Sequence, residues 1–450
     1  MKPKALFYGL AASLFAVALV ALVVHAGTTT GSLTFSNTPL LRTNGSSEQE
    51  IKIAGNGTMA VAALGWLDFG TNLWIGPFGP TPANEGAIDA ALQRRGKRVF
   101  GGGDADVDFG STGMLHATTL IFLVNPPFVR AQVGVSAIAC PNATSGFVAS
   151  SCVSKIIDTA GADRSWITSD GSRVYISYHD SGNSSLIHVQ RSDDDGLNWS
   201  RVGDPITGQG RATGDATFNN TQGPLVADPF THNVYAIYTA GEPGIQKATT
   251  ATFNNVFVSR STDGGASWTA NLVHSDPLFT DLSNVFPALA VDPTNGKLFA
   301  VWSNGNSVFF STSSDQGATW SQEVTVNIAP ATTAIFPWVA ARAGTVDVVY
   351  YGTTASSKDD PSAVWNVYLA QTTNNGSSFA QSKVSNTPNH TGVICTNGTG
   401  CASGTRNLLD LFQVAINPQN GRAAIAYTDD TLTKDNSGAP LPQTVLAQQQ

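Results

Sequence analysis

The chain has 450 residues, of which 42% are hydrophobic and only 12% charged, and its formal net charge is −8. That apolar content supports a sizeable core. The thin charge, with Ser, Thr, Asn and Gly filling the polar surface, argues against a helical cytosolic enzyme and for a turn-rich all-β protein. Negative charge, with no basic cluster beyond Arg94, Arg95, Lys97 and Arg98, sets nucleic acid aside as a partner.

Lys2 and Lys4 precede an apolar run over 5–24, and Val24, His25 and Ala26 then give a small-x-small cleavage pattern. This is the layout of a secretory signal peptide. A run of about 20 apolar residues also suffices to span a bilayer, so a retained N-terminal anchor is the competing reading. Under both, residues 27–450 form one domain outside the cytoplasm, secreted or held at the outer face of the membrane through residues 5–24.

Segment 33–41 reads as a strand without a nearby partner. Segments 50–53, 59–64 and 73–75 suggest one group of strands, and 104–109, 115–123 and 132–139 another. In the second group Asp104, Asp106 and Asp108 follow three glycines, and strand alternation puts all three on one face. Three carboxylates on one face repel unless something compensates. The functional reading is a Ca²⁺ site or a catalytic acid with raised pKa. The plainer reading is a loop whose carboxylates accept backbone N–H groups. Cys140 and Cys152, and further on Cys395 and Cys401, are spaced to close small surface loops as disulfides in an oxidising compartment.

Asp163 and Arg164 stand at the head of a third group, 165–168, 174–178, 186–190 and 199–202, with His179 and Asp180 after its second strand. An arginine there could grip a substrate carboxylate with two hydrogen bonds, or fix neighbouring units by an ion pair.

From here a short pattern recurs. It appears as Ser192, Asp194, Gly196 and Trp199, as Ser261, Asp263, Gly265 and Trp268, and as Ser313, Asp315, Gly317 and Trp320. A decayed copy has Thr372, Asn374, Gly376 and Phe379. The Asp accepts backbone N–H groups of its own turn, Gly supplies positive φ, and the aromatic ring pins the turn from beneath. Around each copy four short strands are expected, and four strands per unit, repeated radially, make a propeller. At the C-terminus 411–416, 423–427 and 444–447 leave the last unit one strand short, and 33–41 is expected to complete it. This gives seven blades, or six if 50–158 forms one irregular blade.

The template Ser/Thr-x-Asp-x-Gly-x-x-aromatic resembles the Asp box, or BNR repeat, of the sialidase superfamily. The resemblance implies a β-propeller with the boxes on the rim, so that their residues are structural, and a working site at one mouth of the central channel. Asp104, Asp106, Asp163, Arg164, His179 and Asp180 are expected to share that mouth. A sialidase resemblance further implies three arginines, a Tyr made nucleophilic by a Glu, and an Asp as acid/base. Here Asp106 would be the acid/base, Arg164 and Arg406 two of the arginines, Arg342 or Arg211 the third, and Tyr351 with Glu242 the nucleophile pair. The family's Phe/Tyr-Arg-Ile-Pro motif is absent, and Arg42 after Leu41 is a poor substitute. Fold does not settle function. One class is a glycoside hydrolase acting on extracellular glycans. The others are a non-catalytic propeller binding glycan or cell-surface protein, and an assembly factor.

Overall fold

The computed structural model describes residues 27–65, 69–93, 99–124, 131–159, 161–180, 186–206, 220–241 and 253–450. The expected signal peptide or anchor lies outside these residues, as do Arg94, Arg95, Lys97, Arg98, Arg211 and Glu242.

Short alternating runs broken by Gly, Asn and Asp turns cannot bury two faces alone, so each hairpin group must stack on the next. Seven antiparallel sheets do this. Blade 1 starts with Ser47–Ile53, blade 2 with Ala105–Phe109, blade 3 with Ala162–Asp170 and blade 4 with Asn220–Ala227. Blades 5, 6 and 7 start with Ala288–Val291, Thr333–Arg342 and Gln413–Ile416. These innermost strands touch one another in sequence order, and the seventh touches the first. Residues 50–158 divide between two sheets, so the six-blade alternative does not hold.

Phe35–Leu40 is the outermost strand of blade 7, antiparallel to Pro440–Gln449, with Phe35 opposite Gln449 and Leu40 opposite Thr444. The chain ends therefore close the ring in one sheet. Just before it, Thr29–Thr30 runs parallel to the outer strand of blade 6. Disulfides join Cys140 to Cys152 and Cys395 to Cys401.

The four recurring turns share one hydrogen-bond pattern between the third and fourth strands of blades 3 to 6. Ser261 Oγ donates to Asp263 Oδ1 at 2.8 Å and accepts from Gly265 N at 2.8 Å. Asp263 Oδ1 also accepts from Ser267 N at 2.9 Å, and Trp268 Nε1 donates to Gly265 O at 2.9 Å. Ser192, Ser313 and Thr372 head equivalent turns. In the decayed copy Gly376 has φ +87°, and a Cβ there would lie 2.2 Å from Phe310. The glycine thus survives where the aspartate and tryptophan do not.

Innermost strands leave one edge unpaired, which is costly if buried. Side chains of the preceding blade meet part of that need. Gln413 accepts from Ile51 N at 3.2 Å, Asp106 from Ile167 N at 2.9 Å, Asp108 from Ser169 N at 2.7 Å and Thr168 from Ala227 N at 3.0 Å.

Candidate functional site

Loops that lead into first strands and loops that join second to third strands surround the same mouth of the channel, called the front mouth here. The recurring turns lie on the rear face. In blades 1, 3, 4 and 6 the pairing of first and second strands slips by a bulge near the front end. Glu48, Arg164 and Phe336 sit at such slips with φ of 50°, 55° and 55°. A left-handed non-glycine costs roughly 1–2 kcal/mol, and a bulge re-aims the side chain it carries. Phe336 shares the kink, so the kink belongs to the fold. What distinguishes blades 1 and 3 is that the kinked residue is charged.

The front mouth holds a cavity of about 780 Å³, whose charged lining is Asp104, Asp163, Arg164, Asp281, Arg406 and Asp410. Arg406 grips Asp410 with two nitrogens, Nε lying 3.0 Å from Oδ1 and Nη2 bonding Oδ2. Arg164 Nε is 3.8 Å from Asp163 Oδ2, and its guanidinium lies 4.7 Å from the Phe286 ring centroid, a cation–π contact. Beside this cavity lies a throat of about 10 Å³, lined by Glu48, Glu50, Asp104, Arg164, Ser165 and Trp166, with Phe286 and Leu411.

Glu48 and Asp104 both line this throat. Burial, then the charges of Asp104 and Asp410, push Glu48 well above the usual carboxylate range. Burial, then Asp163 and Asp410, push Asp104 up to about 6 against the pull of Arg164. Glu50 is raised by burial and by Asp106.

The expected working face divides. Asp104, Asp163, Arg164 and Arg406 meet at the front mouth. Asp106 and Asp108 share the face of Asp104 toward blade 3, but a strand rises about 3.3 Å per residue, so the three are spread along the channel. Asp106 and Asp108 line the rear cavity of about 340 Å³, with Lys52, Thr168 and Arg342. Both are spent on backbone N–H groups of blade 3. Among the described residues no group of three Asp, Glu, His or Cys could hold a metal ion, so Asp104, Asp106 and Asp108 do not form the Ca²⁺ ligand set considered from the sequence.

His179 lies opposite Asp163 in the strand register. Burial first, then Arg164, lowers its pKa to about 4. Asp180 turns to His188, with Oδ2 3.2 Å from Nε2. Tyr351 is fully buried, its ring centroid 4.2 Å from that of Phe412, and its hydroxyl accepts from Thr428 N at 3.1 Å. It lines neither cavity, and burial pushes its pKa up, away from phenolate. Glu242, expected beside it, lies outside the described residues. Arg342 lines the rear cavity, so among the described residues two arginines, Arg164 and Arg406, line the front cavity.

Sequence reasoning missed Glu48 and Glu50 as site residues. A signal was present: Glu48, Glu50 and Lys52 alternate with Gln49, Ile51 and Ile53, just as Asp104, Asp106 and Asp108 alternate with Ala105 and Val107.

No protein-family model matches the chain, and no curated protein matches it. Among solved structures, a polysaccharide lyase of family PL25, ulvan lyase bound to -[GlcA(1-4)Rha3S]-, is 12% identical, with 91% of this chain and 95% of that chain covered and a TM-score of 0.52. The Hadza microbial sialidase Hz136 is 12% identical over 95% of this chain and 94% of that one, at a TM-score of 0.46. The Penicillium chrysogenum alpha-L-arabinanase complexed with arabinobiose is 12% identical over 93% and 97%, at 0.43. The likeness to the ulvan lyase is a likeness of fold, with no close match. At this identity the likeness speaks for the fold and for nothing finer.

Proposed function

We propose that the chain is an exported β-propeller that binds extracellular glycan at its front mouth and does not cleave it by sialidase chemistry. The observation that carries this reading is the front cavity of about 780 Å³, where two Asp–Arg pairs stand beside apolar walls that include Leu120, Phe122, Phe253 and Val285. Sugars offer hydroxyls that both donate and accept, on rings with apolar C–H faces. A pocket with apolar walls and a few convergent polar groups suits them. The ulvan lyase, a propeller of similar fold, holds a saccharide. Export is supported by the apolar run at 5–24 and by the two disulfides.

Against exo-sialidase chemistry stand the two front arginines, each beside its own aspartate, and the burial of Tyr351. The test pairs a glycan array with a set of fluorogenic glycosides that includes a sialoside. The expected result is saccharide binding without turnover, lost in the double variant Arg164→Ala, Arg406→Ala. Turnover of the sialoside overturns the non-catalytic reading, and an empty array overturns the glycan reading.

A further inference from the structure

The front mouth and throat carry more carboxyl groups than cations. Asp163 and Asp410 each have an arginine, whereas none of Glu48, Glu50 and Asp104 is in an ion pair among the described residues. Glu48 is 5% exposed and Glu50 1%. In each, Oε2 is buried without a hydrogen-bond partner, as is Ser165 Oγ. Buried polar atoms are normally satisfied, and here three unpartnered oxygens line one throat.

Size and charge narrow what could satisfy them. The throat, about 10 Å³, has room for roughly one water-sized group. An ammonium head fits that space, and a carboxylate, a sulfate or an acetamide does not. A carboxylate would also meet three carboxyl groups, two of them buried, and be repelled. An ammonium offers three donors and no acceptor, matching Glu48 Oε2, Glu50 Oε2 and Ser165 Oγ. The indole Nε1 of Trp166, a buried donor without a partner on the same wall, suits the hydroxyl oxygen next to an amine on a sugar ring.

We propose that the glycan recognised at the front mouth carries a free primary amine: an amino sugar whose ammonium enters the throat between Glu48, Glu50 and Asp104. This rests on the glycan reading above and adds the chemical class of the sugar.

Isothermal titration of the full exported chain tests it with four probes: a β-1,4-linked glucosamine tetrasaccharide, its N-acetylated form, a glucose tetrasaccharide and tetralysine. The amine form is expected to bind roughly tenfold or more tightly than the acetylated and neutral forms, the margin of one good charge-assisted contact. Glu48→Gln, which keeps the size and removes the carboxyl group that pairs with the ammonium, should erase that margin. The wild-type comparison decides even if the variant fails to fold. Equal affinity for amine and neutral forms overturns the amine assignment and spares the glycan reading. Failure of all three saccharides removes both. Tighter binding of tetralysine than of the amino sugar overturns the assignment in favour of a basic protein partner.

Discussion

Glu48 on blade 1 and Asp104 at the head of blade 2 line one throat, and burial followed by the charge of Asp104 pushes the Glu48 carboxyl well above the usual carboxylate range. They are part of a larger buried acid set. Asp106 is also pushed up to about 6 by burial, and Asp347, fully buried on blade 6, up to about 7.

These groups give stability a definite pH slope. A carboxyl whose folded pKa lies above its unfolded value binds more protons in the native state. Its contribution is complete below the unfolded value, near 4, and is lost as pH rises through the folded value. For Asp104, Asp106 and Asp347 the loss falls between about 4 and 7. His179, lowered to about 4, acts in the opposite sense and costs stability as pH falls below about 6.5. With Glu48 and Glu50 also raised, the acids outweigh it. The melting temperature should be higher at pH 5 than at pH 8. A thermal scan series showing the reverse would mean that burial does not raise these carboxyls above their unfolded values.

Asp106 and Asp104 should separate by phenotype. Asp106→Ala strips the acceptor from Ile167 N, a buried backbone donor between blades 2 and 3, and should cost about 1–3 kcal/mol of stability. Asp104→Asn keeps its size and should leave the fold intact while weakening saccharide binding. Chemical denaturation and titration of both variants check this, and a stable Asp106→Ala protein would count against the bridging role.

Arg164 occupies a left-handed position that glycine prefers. Arg164→Gly removes about 1–2 kcal/mol of backbone strain, which offsets the lost contact with Phe286. The expected outcome is an unchanged or higher melting temperature together with loss of saccharide binding. A marked drop in melting temperature would mean that the guanidinium serves mainly to hold the blades.

Trp268 is 4% exposed and donates to Gly265 O and to Gly203 O. Trp268→Ala should destabilise by roughly 3–5 kcal/mol, the cost of truncating a large buried aromatic. Binding per folded molecule should not change, since this turn lies on the rear face. A binding loss at constant stability would contradict that placement.

Deleting residues 27–41 should open the ring. It leaves Pro440–Gln449 as an unpaired edge, which invites association with other chains. Size-exclusion chromatography is expected to show aggregates where the full domain is monodisperse. A compact monomer with unaltered unfolding would show that closure by the N-terminal strand is dispensable.

The sequence by itself determined what local chemistry determines. The turns at Asp194, Asp263, Asp315 and Asn374 bond within five residues, so their pattern shows in the chain and marks four blades. Each cysteine had a near neighbour to pair with, and the short last blade and lone strand 33–41 needed each other. Only the tertiary structure decided the site, because its contacts cross from blade to blade. Alternation places Asp104, Asp106 and Asp108 on one face, yet it takes the neighbouring edge of blade 3 to engage Asp106 and Asp108 and leave Asp104 in the front mouth. Tyr351 looks available in sequence and is buried against Phe412. Glu48 and Glu50 look like ordinary strand residues until blade 2 brings Asp104 beside them, because burial and the charge of a neighbour are properties of packing and not of sequence spacing.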